Sequence, residues 1–110
     1  MACELKDKHC SACSGDEPAL SGDDLKSLAD NIEDQWNVVD EHHLERTFTF
    51  EDFKEALAFT NQVGDVAEEE QHHPDIALSY GKVVVTVWTH KVDGLTENDF
   101  IFAAKVDDLV

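Results

Sequence analysis

The sequence predicts an α+β domain: a four-stranded antiparallel sheet with three helices on one face, in the element order αββαββα. Three observations carry this. Apolar residues switch between a period near 3.6 and a period of 2 at recognisable turn residues. Capping patterns stand ahead of each helical stretch. A 42% apolar content in 110 residues suits one domain with one modest core and argues against a disordered chain.

The stretch from Cys13 to Ser21 (CSGDEPALS) is a linker by composition, so residues 1–20 are expected to be a flexible N-terminal arm and residues 21–110 the folded domain. Ser21-Gly-Asp-Asp reads as a capping box, and Leu25, Leu28, Ala29 and Ile32 follow at helical spacing, predicting a helix over 22–33. From Gln35 the period changes, and Trp36 and Val38 share one side of a short strand. After a turn at Asp40-Glu41-His42-His43, whose two histidines are expected to be solvated, Leu44, Arg46, Phe48 and Phe50 alternate with Glu45, Thr47 and Thr49.

A second helix is predicted over 51–71, capped by Thr49 and Asp52. Its stripe is Phe53, Leu57, Thr60, Val63 (or Gly64) and Ala67, flanked by Ala56, Phe59 and Val66. Pro74 ends it and biases His73 towards extended geometry. Ile76, Leu78 and Tyr80 then alternate, and Gly81-Lys82 reads as a two-residue hairpin turn into a return strand over 83–90. Bulky residues on both faces of that strand lead us to expect both to be covered, one of them by another subunit. Asp93-Gly94 turns the chain. Thr96-Glu97-Asn98-Asp99 is a further capping box, and Phe100, Ala103, Ala104 and Asp107 continue on one helical side.

Charge narrows the function classes. There are 25 Asp and Glu against 8 Lys and Arg, a formal net charge of −17. Such a surface disfavours nucleic acid, anionic membranes and highly phosphorylated ligands, and it favours solubility. The opening MACELKDKH carries no apolar leader, and no window is long enough to span a bilayer, so a cytoplasmic protein is expected. Cys3, Cys10 and Cys13 all lie in the arm. Cys10-Ser-Ala-Cys13 could share a metal ion, although one CxxC without a second pair equally suits an arm that merely contains thiols.

The histidines point to chemistry. Glu68 and His72 are four apart on one helix and are expected to be neighbours; His73 leaves the helix in another direction; His90 can approach from the strand side. Imidazoles with a carboxylate beside them suit a reaction that moves two protons near neutral pH. Three His and one Glu could instead hold a divalent metal, or each could be a satisfied polar residue at the end of its element.

Glu68, three residues, His72-His73-Pro74, five residues, Tyr80, nine residues, His90, eight residues, Asp99 resembles the signature of the pterin-4a-carbinolamine (4a-hydroxytetrahydrobiopterin) dehydratases. The resemblance extends through Phe48 to Phe53, Thr89-His90 and Gly94 to Asp99, and covers about residues 21 to 110. It implies the same α+β fold and dehydration of the 4a-hydroxypterin to quinonoid dihydropterin and water, with the pterin as substrate, no cofactor and no metal in the chemistry. It places the active-site histidines at His72, His73 and His90 and their acidic partner at Glu68. It aligns Trp36 with a residue near the site, where Trp36 is either a wall for the pterin or a core residue. Asp99 is expected to serve as the cap of the last helix, and Tyr80 to pack. A homodimer or homotetramer is implied. So is an alternative, non-catalytic role: family members also serve as a dimerisation cofactor for a transcription factor, and related domains assist assembly of a carbon-fixing enzyme. The acidic surface and Gln71, where the family often has an acid, are departures.

Overall fold

The computed structural model describes residues 19–110. The arm's thiols, Cys10 and Cys13 included, lie outside the described residues. The elements are α1 (Gly22–Ala29), β1 (Asn37–Val39), β2 (His43–Thr49), α2 (Phe53–Glu70), β3 (Asp75–Ser79), β4 (Lys82–Val87), a 3-10 turn (His90–Val92) and α3 (Glu97–Asp107). The strands form one antiparallel sheet in the order β1-β2-β4-β3. The predicted order of elements is the observed one.

Register follows from burial. Leu44 stands opposite Val87 and Phe48 opposite Val83, and these four are buried along with Val85. They share one core with Ala56, Phe59, Val63 and Ala67 of α2 and Phe100, Ile101, Phe102, Ala103 and Val106 of α3. A one-residue slip would turn every one of those strand side chains out of the core, which is why the pairing is unique. Val84 and Thr86 on the opposite face of β4, and Trp88 just past its end, are half-buried.

Several expectations are corrected. The first helix ends at Ala29, four residues early, and Ser21 takes the extended N-cap conformation without a side-chain bond. Leu20, assigned to the arm, donates its backbone N–H to Leu95 O at 2.7 Å and packs on the core, so it belongs to the domain. Asp52 alone caps α2, accepting from Glu55 N–H at 2.8 Å. The buried stripe of α2 is Ala56, Phe59, Val63, Ala67 and Glu70, while Phe53 and Leu57 are 45% and 40% exposed. The apolar band is wide, and its outer edge faces away from the sheet.

The β3–β4 hairpin turns at Tyr80-Gly81 rather than Gly81-Lys82, because Ser79 already pairs with Lys82. Gly81 has φ +68, and a Cβ there would lie 2.9 Å from Phe50 O, so only glycine fits. β4 stops at Val87, and His90 opens a 3-10 turn instead of closing a strand.

α3 is buried on nearly all sides. Its capping box is present as predicted. At its far end Asp107 solves a problem the strand pattern creates. Arg46 sits among the alternating residues of β2 that face the core. Its Nη1 donates to Asp107 Oδ1 at 2.6 Å, and its guanidinium carbon lies 4.3 Å from the centre of the Phe48 ring. Trp36 Nε1 donates to the same oxygen at 2.7 Å, and Glu33 N–H to Oδ2 at 3.2 Å. One carboxylate thereby ties the turn after α1, the entry to β1 and the middle of β2 to the last helix.

Candidate functional site

The site begins where α2 unwinds. Gln71 takes a left-handed conformation (φ +55), unusual for a residue other than glycine, and the amides of Gln71 and His72 both donate to Ala67 O. Gln71 Nε2 adds a bond to Glu68 O at 2.7 Å. This reversal, followed by Pro74, sends the two adjacent imidazoles in different directions.

It also re-pairs them. The expected Glu68–His72 neighbours do not meet. Glu68 Oε2 instead lies 2.5 Å from His73 Nε2, since the left-handed residue brings the fifth position rather than the fourth back over Glu68. His72 turns inward, with Nε2 2.6 Å from Asp99 Oδ1. The burial of the two pairs differs sharply: side-chain exposure is 12% for His72 and 0% for Asp99, against 58% for His73 and 75% for Glu68.

Asp99 does more than the cap the sequence predicts. Its Oδ2 accepts the Thr96 amide at 2.9 Å and the Thr89 hydroxyl at 2.8 Å, and the Thr96 hydroxyl lies 2.8 Å from that of Thr89. The cap uses one carboxylate oxygen and leaves the other for His72. A carboxylate only accepts, so each partnered ring carries its proton on Nε2, and Nδ1 is the nitrogen left to take or give one. Among the described residues neither Nδ1 has a hydrogen-bond partner.

His90 stands apart from this pair. It is exposed, and no hydrogen bond or ring contact joins it to His72 or His73 among the described residues. The connection runs through its neighbour Thr89, bonded to Asp99. The His90 ring stacks on Trp88, centroids 4.5 Å apart and planes 26° from parallel. His42 and His43, expected to be solvated turn residues, are half-buried against the same indole, at 5.4 and 6.0 Å. His42 Nε2 lies 2.8 Å from Asp93 Oδ1, and the two Nδ1 atoms of His42 and His43 are 3.1 Å apart. Sequence spacing had no means of joining residues 42 and 43 to residue 88. The visible signal is that Trp88 shares strand parity with His90.

Trp36, carried over as a candidate wall for the pterin, is 6% exposed, bonded to Asp107 and set edge-on to Phe48. It offers no free face to a ligand in this structure. Tyr80 is 75% exposed at the hairpin tip and does not pack as expected. No group of three or more His, Cys, Asp or Glu among the described residues is placed to hold a metal ion. A surface depression lined by Thr49, Phe50, Glu51 and Glu55 contains none of the histidines. No helix among the described residues is long and apolar enough to cross a membrane.

Comparison with known proteins shows the family. Residues 18–109 match the family model described as pterin 4 alpha carbinolamine dehydratase. A Rubrobacter xylanophilus protein is 56% identical over 106 residues, covering 96% of this chain and 98% of that one. An Alkaliphilus metalliredigens protein is 53% identical over 94% of this chain and 93% of its own. Both are provisionally named pterin-4-alpha-carbinolamine dehydratase. A Brucella melitensis crystal structure, described as a transcriptional coactivator/pterin dehydratase, superposes with a TM-score of 0.77 at 33% identity, over 83% of this chain and 97% of that one. The chain belongs to the pterin 4 alpha carbinolamine dehydratase family.

Proposed function

We propose that this protein dehydrates 4a-hydroxytetrahydrobiopterin to quinonoid dihydropterin and water by histidine acid–base catalysis, in support of tetrahydrobiopterin recycling. One observation supports this above others: four residues of the family signature meet as two bonded pairs, Glu68 with His73 and Asp99 with His72. In the reaction the C4a–O bond breaks, the departing hydroxyl takes a proton and leaves as water, N5 loses its proton, and C4a=N5 forms. One of His72 and His90 protonates the 4a-hydroxyl, and another imidazole accepts the N5 proton. His73, at the exposed rim with Glu68, binds and orients the ring. Each acid–base group is worth about 10²–10⁴-fold.

The test follows the absorbance of 4a-hydroxypterin generated in place. The protein should accelerate its decay, and His72→Ala and His90→Ala, folded by circular dichroism, should lose most of that acceleration. Equal decay with and without protein would end the proposal.

A second reading has its own observation. Phe53 and Leu57 leave an apolar strip exposed on α2, which suits coverage by another chain, whether a further copy of this protein in a homodimer or homotetramer or a different partner. The coactivator description of the Brucella melitensis relative points the same way. A partner-binding role of that kind would survive His72→Ala and fail on Leu57→Glu.

A further inference from the structure

We infer that Trp88 is the positioning residue for His90, itself braced by His42 and His43. This rests on the dehydratase reading for its consequence in turnover, but not for its geometry. Of the three signature histidines, two are oriented by a carboxylate bonded to Nε2. The His90 ring has no hydrogen-bond partner among the described residues, and its contact is the near-parallel stack on Trp88. An exposed imidazole at the start of a three-residue 3-10 turn would otherwise sample several rotamers. Stacking fixes the ring plane while leaving both nitrogens free for a ligand, which a hydrogen bond would not do.

The indole needs a support of its own, because it lies on the half-buried face of the sheet. Its support comes from the β1–β2 turn. Asp40 and Glu41 both adopt left-handed backbone (φ +53 and +55), turning the chain into β2, where the Leu44–Val87 register sets His43, at the head of the strand, beside Trp88 with His42 next to it. The two imidazoles are edge-on to each other, with their Nδ1 atoms in hydrogen-bonding range, so the pair acts as one braced unit. Asp93, itself left-handed and closing the His90 turn, bonds His42 and joins the brace to the segment that carries His90. The result is a ring of contacts running from His90 to Trp88, to His42 and His43, to Asp93 and back. It restrains the indole on which His90 stacks.

Displacing a reacting group by about 1 Å can cost up to 10²-fold, so Trp88→Leu should lower kcat by roughly ten- to a hundred-fold, with KM changed much less. Trp88→Phe, which keeps a ring to stack on, should recover to within about three-fold of the parent, on the same positioning rule. In a His90→Ala background Trp88→Leu should add little, since the group it positions is gone.

A second measurement does not depend on catalysis. The His90 ring protons, over the indole face, should resonate upfield, and Trp88→Leu should abolish that shift. Trp88→Leu with unchanged kcat and an unmoved His90 resonance overturns the inference. So does a full loss in Trp88→Leu that Trp88→Phe fails to recover, provided both are folded. If the parent protein has no effect on 4a-hydroxypterin decay, the dehydratase reading fails, and the ring-current measurement alone then decides the placement of His90.

Discussion

Replacing Asp99 by asparagine separates its two jobs, because the side chain keeps its shape while losing one acceptor. In the parent, Oδ2 takes the Thr96 amide and the Thr89 hydroxyl, and Oδ1 takes His72 Nε2–H. An asparagine oriented to keep its oxygen on Thr96 and Thr89 presents an NH₂ group to His72. That contact is satisfied only if the imidazole moves its proton to Nδ1. The cap survives and one charge-assisted bond becomes neutral, so folding stability should fall by about 1 kcal/mol. On the proposed mechanism turnover should fall far more, by about 10²–10⁴-fold, because Nδ1, the nitrogen facing away from the carboxylate, changes its protonation state. Asp99→Ala makes the contrast. It strands the Thr96 amide, the Thr89 hydroxyl and the His72 N–H in a site with no exposure at residue 99, and should cost about 3–5 kcal/mol.

Urea denaturation gives the stabilities, 4a-hydroxypterin decay gives the rates, and ¹⁵N shifts of the His72 ring report which nitrogen carries the proton. Parent-like turnover in Asp99→Asn, together with a switched tautomer, would show that His72 takes no part in proton transfer. An unswitched tautomer would refute the hydrogen-bond scheme itself.

Two further outcomes test other parts of the structure. Glu68→Gln should leave stability within about 0.5 kcal/mol, since the Glu68–His73 pair is largely exposed and such pairs contribute little, yet it should lower turnover by weakening the hold on His73; a parent-like rate would remove Glu68 from the site. Burial lifts the Asp107 carboxyl above its ordinary 3.8, with Trp36, the Glu33 amide and Arg46 pulling it the other way. A carboxyl raised on folding binds its proton more tightly in the native state, so its contribution is fully present below about pH 3.8 and lost as pH rises through the raised value. Asp107→Asn should flatten that part of the urea-midpoint profile against pH, and an unchanged slope there would contradict it.

What the sequence discloses is facing, and what it conceals is pairing. Periodicity locates the four strands and three helices because side-chain direction repeats along each element. The Thr96–Asp99 box is equally readable, since cap and partner lie three residues apart. By contrast, Asp99 meets His72 across 27 residues and Asp107 meets Trp36 across 71, distances over which spacing says nothing about approach. Backbone conformation is the other blind spot. Nothing in Gln71, Asp40 or Glu41 announces a left-handed residue, yet these three redirect His72, His73, His42 and His43. A glycine at any of them would have marked the left-handed position.

The same distinction separates the roles of the signature histidines. His72 is half-buried against a fully buried carboxylate that is also a structural cap, so its ring cannot be reoriented without disturbing the start of α3. His73 has an equivalent acid, but both partners are exposed and free to adjust to a ligand. His90 has an aromatic support in place of an acid, so its two nitrogens remain uncommitted. The dehydration proposed above, which removes a hydroxyl and an N–H proton from neighbouring atoms of one flat ring, calls for a fixed proton carrier, an adaptable binder and a group able to act through either nitrogen. On that proposal the three environments match these needs in that order. They also explain why the candidate site cannot be trimmed to its histidines: the carboxylate that orients His72 begins a helix, and the indole beneath His90 is held by the turn that leads into β2.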